Sequence, residues 1–167
     1  VDRVRRLLRP GASPVREPLN LSILVAEVLR LVHNELIRRK VQIRTDLPAS
    51  LGLFEGDPVQ IQQVILNLVM NACEAMEQCP AAERRIILTT RLSRRPREVE
   101  LTVRDFGHGI SAEDHHRVFM PFVTSKATGL GLGLFISRRI AEAHRGKLWC
   151  ESADPGSFFH MALPLLD

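Results

Sequence analysis

The sequence predicts an α/β fold in which one sheet of about five strands carries three main helices on one face. Short stretches that alternate apolar and polar residues, as half-buried strands do, are interleaved with three longer stretches of helical periodicity. Hydrophobic residues make up 45% of the 167 positions, which is enough for a full core. We therefore expect one domain of ordinary size, without metals or disulfides to hold it together.

Composition excludes several classes of protein. The net charge is +4, but there is no tyrosine and little aromatic interleaving, so we expect no nucleic acid partner. The three cysteines, Cys73, Cys79 and Cys150, lack metal-ligand spacing and indicate reduced thiols in a cytoplasmic protein. No apolar run reaches membrane-spanning length and no signal peptide opens the chain, although a parent protein can still be anchored upstream.

The N-terminal residues predict a domain boundary. Residues 1–8 have the pattern of the last turns of a helix, and Pro10-Gly11-Ala12-Ser13-Pro14 ends it. We therefore predict the end of an upstream helix in residues 1–9, a linker in residues 10–17 and the folded domain in residues 18–167.

The first half of the domain predicts two helices and two strands. Asn20 is a good N-cap for a helix over residues 21–40, and strands follow over residues 41–46 and 51–54. Asp57-Pro58 then begins a second, mostly apolar helix, with proline at the first helical position.

Three polar residues interrupt that apolar helix. Asn67, Asn71 and Glu74 follow one another at spacings of four and three residues, so they share one face. Buried amides need hydrogen-bond partners. Either these three side chains form hydrogen bonds with backbone groups, or they face a polar pocket in which an amide oxygen can bind Mg²⁺.

The second half predicts strands over residues 86–92 and 99–104, joined by the Arg94-Arg95-Pro96 turn. A helix follows to His144. The chain closes with strands over residues 146–151 and 157–163, on either side of a turn at Asp154-Pro155-Gly156.

Two glycine clusters, at residues 105–110 and 129–134, predict a nucleotide pocket with a hinged lid. Asp105 follows a strand and can accept a hydrogen bond from an amino group such as that of adenine, while Gly107 and Gly109 let a flat ring approach. The second cluster runs into a helix, whose N-terminus favours phosphate. A glycine-rich surface loop would explain one cluster, but not two with an aromatic and basic segment between them.

Two familiar motifs do not apply. Asp105-Phe106-Gly107 matches the magnesium-binding motif of Ser/Thr/Tyr protein kinases. That family also needs an upstream glycine-rich loop, a strand lysine and a His-Arg-Asp loop, and this sequence has none of them. The later glycines miss the dinucleotide fingerprint because Leu134 stands where that pattern needs glycine.

Four motifs resemble those of the catalytic ATP-binding domain of sensor histidine kinases, in the superfamily that includes gyrase, Hsp90 and MutL. They are an asparagine box (63–72), two glycine boxes (105–110 and 129–134) and a phenylalanine box (119–122), in the family order. Residues 142–144 and 146–149 resemble the nitrogen-regulator and oxygen-sensor subgroup. The resemblance covers residues 18–166 and implies a two-layer sandwich with a mixed sheet, of the Bergerat type.

The resemblance implies ATP and Mg²⁺ as ligands. Asp105 would bind adenine, and Asn71 with Asn67 would hold Mg²⁺ and position the phosphates, assisted by Lys126 at the terminal phosphate. Phe119 and Phe122 would anchor the lid and couple it to docking, unless they are ordinary core aromatics. The other implied nucleotide contacts are Gly107, Gly109, Ile110, Thr124, Ser125, Gly129, Leu130, Gly131, Leu132 and Gly133.

Position 67 bears on the reaction. Relatives that hydrolyse ATP generally carry a glutamate base there, whereas Asn67 cannot act as a base. We therefore expect phosphoryl transfer to another side chain, driven by positioning and charge stabilisation.

The sequence also departs from the family pattern. Glu74 and Thr124 stand where many members have lysine and arginine, respectively. The sequence therefore leaves open which cationic side chain contacts the γ-phosphate. The phosphoacceptor box is missing, and His33 is a superficial match. We therefore expect a monomeric domain that phosphorylates a histidine on the dimerisation domain of a homodimeric parent, for relay to a response regulator. A nucleotide-gated regulator or an anti-sigma-type Ser/Thr kinase is the alternative.

Overall fold

The structure of the protein is a computed structural model that describes residues 15–94, 97–124 and 129–167. The predicted upstream helix end, most of the predicted linker and the tip of the 94–96 turn lie outside the described residues. In chain order the strands are β1 (Glu17–Leu19), β2 (Gln42–Asp46), β3 (Phe54–Gly56), β4 (Arg85–Arg94), β5 (Arg97–Asp105), β6 (Lys147–Ser152) and β7 (Ser157–Pro164). The α-helices are α1 (Leu21–Leu31), α2 (His33–Arg38), α3 (Pro58–Ala75) and α4 (Gly133–Ala143).

The main sheet has five strands in the order β2-β4-β5-β7-β6. β2 pairs with β4 in parallel, and the other three pairings are antiparallel, so the sheet is mixed as predicted. β5 lies at its centre, and residues of β5 alternate between the two faces. Val99, Leu101 and Val103 are buried on the helix side, whereas Glu100 and Thr102 are half-buried on the other.

A second, small sheet was not predicted. β1 pairs with β3 in antiparallel fashion, with Glu17 opposite Gly56. The strand expected over residues 51–54 was therefore placed too early and is not part of the main sheet. Gly52 adopts a left-handed conformation (φ +93°) that ends any extended run there, and the chain becomes extended only at Phe54.

The helix predicted over residues 21–40 is wrong in its length. It is broken at Val32, which leaves helical geometry and separates α1 from α2. Val32 and Leu36 are both buried, so the break allows the two segments to follow the core. Lys40 then turns the chain into β2 with φ +55°.

α3 is the central helix of the core, as its apolar sequence predicts. Asp57 caps it through hydrogen bonds from the backbone N–H groups of Val59 (2.9 Å) and Gln60 (3.3 Å). The side chains on its inner face are at most 1% exposed; they are Ile61, Val64, Ile65, Leu68 and Val69. Burial of this face against α1, α4 and the sheet supplies much of the driving force for folding.

His144 joins the ends of two helices that carry the site. Its Nδ1–H donates to the Ile140 carbonyl (2.7 Å), and its Nε2 accepts from the backbone N–H of Asp57 (3.0 Å). The imidazole therefore connects the C-terminus of α4 to the N-terminus of α3 and fixes the position of one helix relative to the other.

The outer face of the sheet is covered by its own side chains rather than by helices. The Arg104 guanidinium stacks between the rings of Phe106 (4.3 Å) and Phe158 (4.5 Å). His160 lies between Phe158 and Trp149, with ring centroids 6.0 and 4.9 Å away. The helices therefore lie on one face, and the domain has two layers.

Candidate nucleotide site

Asp105 is the last residue of β5, and its carboxylate is fixed on both oxygens. It is only 2% exposed. Oδ1 accepts from the backbone N–H of Gly107 (2.9 Å), and Oδ2 accepts from the Ser157 hydroxyl (2.6 Å). A carboxylate has about four acceptor positions, so it can still accept a hydrogen bond from a ligand amino group.

Glycines allow close packing around this carboxylate. A Cβ on Gly107 would overlap the Ala75 carbonyl at the end of α3, and one on Gly156 would overlap the Asp105 carbonyl. Gly156 also has φ +89°, a conformation that other residues rarely adopt. The first glycine cluster therefore lies directly against α3 and the start of β7.

Sequence reasoning missed Ser157 and Gly156. Ser157 is the residue opposite Asp105 in the register of β5 and β7, and it is 2% exposed. The available signal was a glycine and a hydroxyl residue at the start of the last strand. That signal has a meaning only when β7 is known to lie beside β5.

The three polar residues of α3 lie at the edge of the core. Asn67, Asn71 and Glu74 are half-buried, whereas their neighbours Leu68 and Cys73 are buried. The Nδ2 group of Asn67 donates to the hydroxyl of Ser137 on α4, at 3.0 Å.

The donor set at this edge suits Mg²⁺. Burial raises the pKa of the Cys73 thiol to about 11, so this thiol stays protonated near neutral pH. Among the described residues, no group of three His, Cys, Asp or Glu side chains is placed to hold a metal ion. Mg²⁺ is commonly bound by one or two protein oxygens together with substrate phosphates, which the amide oxygens of Asn67 and Asn71 can satisfy.

The start of α4 lies directly beside the Asn67 amide. A Cβ on Gly133, the first residue of α4, would lie 2.5 Å from Asn67 Oδ1. Leu132 at the N-cap offers no side-chain hydrogen bond to the first turn, so the N–H groups there can face an anion.

The two phenylalanines that were predicted together occupy different environments. Phe119 is 5% exposed, packs edge-to-face on Phe159 (centroids 6.1 Å apart) and lies beneath the Arg138 guanidinium (5.3 Å). Phe122 is 73% exposed and has φ +64°, with its N–H donating to the Gly131 carbonyl (3.0 Å). The segment between the two glycine clusters, which was predicted to be the lid and is called the lid segment below, is therefore buried at Phe119 and exposed at Phe122.

The remaining predicted contacts lie in the two glycine clusters and in the lid segment between them. Ile110 is half-buried, and its carbonyl accepts from the Ser152 hydroxyl (2.7 Å). Thr124 lies on the surface, while Ser125 and Lys126 lie outside the described residues. Of the second glycine cluster, Gly129, Gly131 and Leu132 are half-buried, Leu130 is 75% exposed, and Gly133 begins α4.

The fold and the similarity to known proteins together define the class of protein. The family described as histidine kinase-, DNA gyrase B-, and HSP90-like ATPases matches residues 56–167, and the chain belongs to this family. It is a nucleotide-binding catalytic domain of the kind found in two-component sensor histidine kinases, which confirms the family and the fold class predicted from the sequence.

Individual relatives support this assignment. The chain is 38% identical over 168 aligned residues to the sensor protein FixL of Bradyrhizobium diazoefficiens, covering 100% of this chain and 32% of FixL. It is 33% identical to sporulation kinase A of Bacillus subtilis, covering 95% of this chain and 25% of the kinase. The chain thus spans about a third or less of the length of these relatives.

A solved structure matches nearly over its whole length. The nucleotide-free catalytic domain of the histidine kinase ThkA has a TM-score of 0.75 and 33% identity, covering 90% of this chain and 95% of that domain. Within the part of this chain that the structure describes, no helix is long and apolar enough to cross a membrane.

Proposed function

We propose that this domain binds ATP with Mg²⁺ and transfers the γ-phosphoryl group to a histidine on a dimerisation domain outside this chain. The phosphoryl group would then pass to an aspartate of a response regulator. The observation that carries the proposal is the buried carboxylate of Asp105, held by the Gly107 N–H and the Ser157 hydroxyl at the end of β5. The nucleotide would lie between this carboxylate and the Asn67 amide on α3.

The Asp105 carboxylate would select adenine. It is an acceptor only, so it favours the 6-amino group of adenine and disfavours the 6-oxo group of guanine. Burial strengthens this discrimination, because an unpaired buried carboxylate beside a carbonyl oxygen would lose its hydration without gaining a bond.

The amides of Asn67 and Asn71 would hold Mg²⁺ and position the phosphates, and bound Mg²⁺ would neutralise charge on the phosphate oxygens. The first turn of α4 would donate N–H groups to the phosphates. Lys126 would supply a further positive charge at the γ-phosphate. Asn67 cannot deprotonate water, which favours transfer to a protein acceptor over hydrolysis.

The partners of this domain would be the dimerisation domain and the response regulator, with no nucleic acid involved. Apolar side chains at the lid support docking onto helices, since Met120, Phe122 and Leu130 are all more than half exposed: 51%, 73% and 75%. We expect the isolated domain to be monomeric, the parent to be a homodimer, and the catalytic domain to lie in the cytoplasm.

Phosphotransfer tests the proposal. This chain is mixed with γ-labelled ATP, Mg²⁺ and a dimerisation fragment of the parent protein, with Asp105→Asn, at an ATP concentration below its expected Kd, as the control with weakened ATP binding. Label on the fragment that is lost in acid and kept in alkali indicates phosphohistidine and supports the proposal. Acid-stable label indicates a serine- or threonine-directed kinase, and tight ATP binding without transfer indicates a nucleotide-gated regulator. Either result overturns it.

A further inference from the structure

We propose that Ser137 is a positioning residue of this site, whose hydroxyl orients the Asn67 amide so that its oxygen faces the phosphate end of the pocket. This inference rests on the proposed function, because it assumes that Asn67 binds the Mg²⁺ of Mg·ATP. Ser137 is 1% exposed, so it acts through Asn67 rather than by contact with the nucleotide.

Two points on α4 enclose the amide of Asn67. Its Nδ2 group donates to Ser137 Oγ at 3.0 Å, and its Oδ1 lies against Gly133, where a Cβ would be only 2.5 Å away. Gly133 and Ser137 are four residues apart on one helix, so they lie on the same face. The amide therefore packs over Gly133, with its oxygen closer to the Gly133 Cβ position (2.5 Å) than its nitrogen (3.1 Å) and with its nitrogen bonded to Ser137.

The orientation matters because the two ends of an amide have opposite chemistry. Mg²⁺ accepts the amide oxygen as a ligand but not the amide nitrogen, whose hydrogens carry positive partial charge. The bond to Ser137 occupies the nitrogen, which leaves the oxygen at the N-terminus of α4, where phosphate and metal are expected. Without the hydroxyl, the amide can rotate and present its nitrogen instead.

The same contact links the two motifs that form the phosphate end of the pocket. Asn67 belongs to the asparagine box on α3, Gly133 belongs to the second glycine cluster, and Gly133 and Ser137 both lie on α4. Partners of this kind behind a metal ligand commonly change metal affinity by about 10–100-fold. Ser137 was not among the residues predicted from the sequence.

Calorimetry of ATP binding, with Mg²⁺ and separately with EDTA, tests the role of Ser137. We expect Ser137→Ala to weaken binding about tenfold with Mg²⁺ and less than about twofold with EDTA. Ser137→Thr, which keeps the hydroxyl, is expected to stay within about twofold of the unmodified domain in both conditions. Ser22→Ala is the matched control, because Ser22 is also buried on a helix but bonds Pro48 and Thr90 instead.

A double-mutant cycle separates orientation from packing. In an Asn67→Ala background, Ser137→Ala is expected to cause no further loss of Mg²⁺-dependent affinity. Equal losses with Mg²⁺ and with EDTA, or the same loss in the Asn67→Ala background, would show that Ser137 only fills space and would overturn the inference. Ser137→Cys, which nearly keeps the volume but accepts hydrogen bonds weakly, replaces Ser137→Ala if the alanine variant does not fold.

Failure of the inference is distinguishable from failure of the proposed function. If Asn67→Ala leaves the Mg²⁺ dependence of ATP binding unchanged, Asn67 is not a metal ligand, and the metal-binding role given to it in the proposed function is wrong. If Asn67→Ala removes the dependence and Ser137→Ala does not change it, only the role of Ser137 is wrong.

Discussion

The pocket wall formed by β5 and β7 differs from the lid segment in how its side chains are held. At the strand wall, Asp105 and Ser157 are each 2% exposed and bonded to one another. Along the lid, Phe122 and Leu130 are 73% and 75% exposed. Recognition of a base requires donors and acceptors that are fixed before binding, whereas delivery of a phosphoryl group to another domain requires accessible surface. Under the proposed function, the strand wall would meet the first requirement and the lid segment the second.

The largest expected effect distinguishes the two ends of the phenylalanine box. Phe119→Ala should lower the free energy of unfolding by about 3–5 kcal/mol, because Phe119 is 5% exposed and packs on Phe159. Phe122→Ala should change it by less than about 0.5 kcal/mol, because the side chain is mostly in solvent. Urea unfolding of both variants measures this. Similar losses would mean that the lid is buried along its whole length.

Two glycine substitutions compare the strand wall with the lid segment directly. Gly156→Ala should destabilise the domain by about 3 kcal/mol or more, because the new Cβ would overlap the Asp105 backbone. Gly156 also has φ +89°, a conformation that is strained for alanine. Gly131→Ala also places a Cβ 2.7 Å from backbone atoms, those of Phe122 and Val123, but these belong to the exposed lid. We therefore expect a loss of less than about 1.5 kcal/mol for Gly131→Ala. Equal unfolding midpoints for the two variants would contradict the expectation that the strand wall tolerates an added Cβ less well than the lid segment does.

Asp105→Asn tests recognition at the strand wall. It should weaken ATP binding about 10–100-fold, because a charge-assisted bond worth about 1.5–3 kcal/mol is lost. Calorimetry measures the affinity, and circular dichroism verifies that the variant is folded. An unchanged affinity in a folded variant would mean that Asp105 does not bind the base.

Ser157→Ala should have the smallest effect of the series. It leaves the Asp105 charge in place and removes one of the two donors that orient it, so we expect a loss of about 3–10-fold in ATP affinity. In the Asp105→Asn background the same substitution should cost less, because the two residues act as a pair. Additive losses would show that Ser157 acts independently of Asp105.

Local chemistry made several features of this fold predictable. The start of α3 at Asp57-Pro58 follows from capping and from the fixed φ of proline, which depend only on neighbouring residues. The end of β5 at Asp105 follows from the alternation of the preceding residues and the glycines after them. Motifs of this kind were also enough to identify the family.

Other features depend on contacts between distant segments. The break at Val32 is not marked by glycine or proline, and it arises where α1 and α2 both have to follow the core. β1 is three residues long, and it is extended where it pairs with β3, a partner more than thirty positions further along the chain. No local propensity predicts such pairings.

The sequence by itself determined the family and the position of Asp105 at the end of a strand, because short motifs and local alternation specify both. Only the tertiary structure decided what holds the site in place. Ser157 lies 52 positions from Asp105, and Ser137 lies 70 positions from Asn67. Each serine reaches its partner through the packing of whole strands and helices, which a motif does not contain.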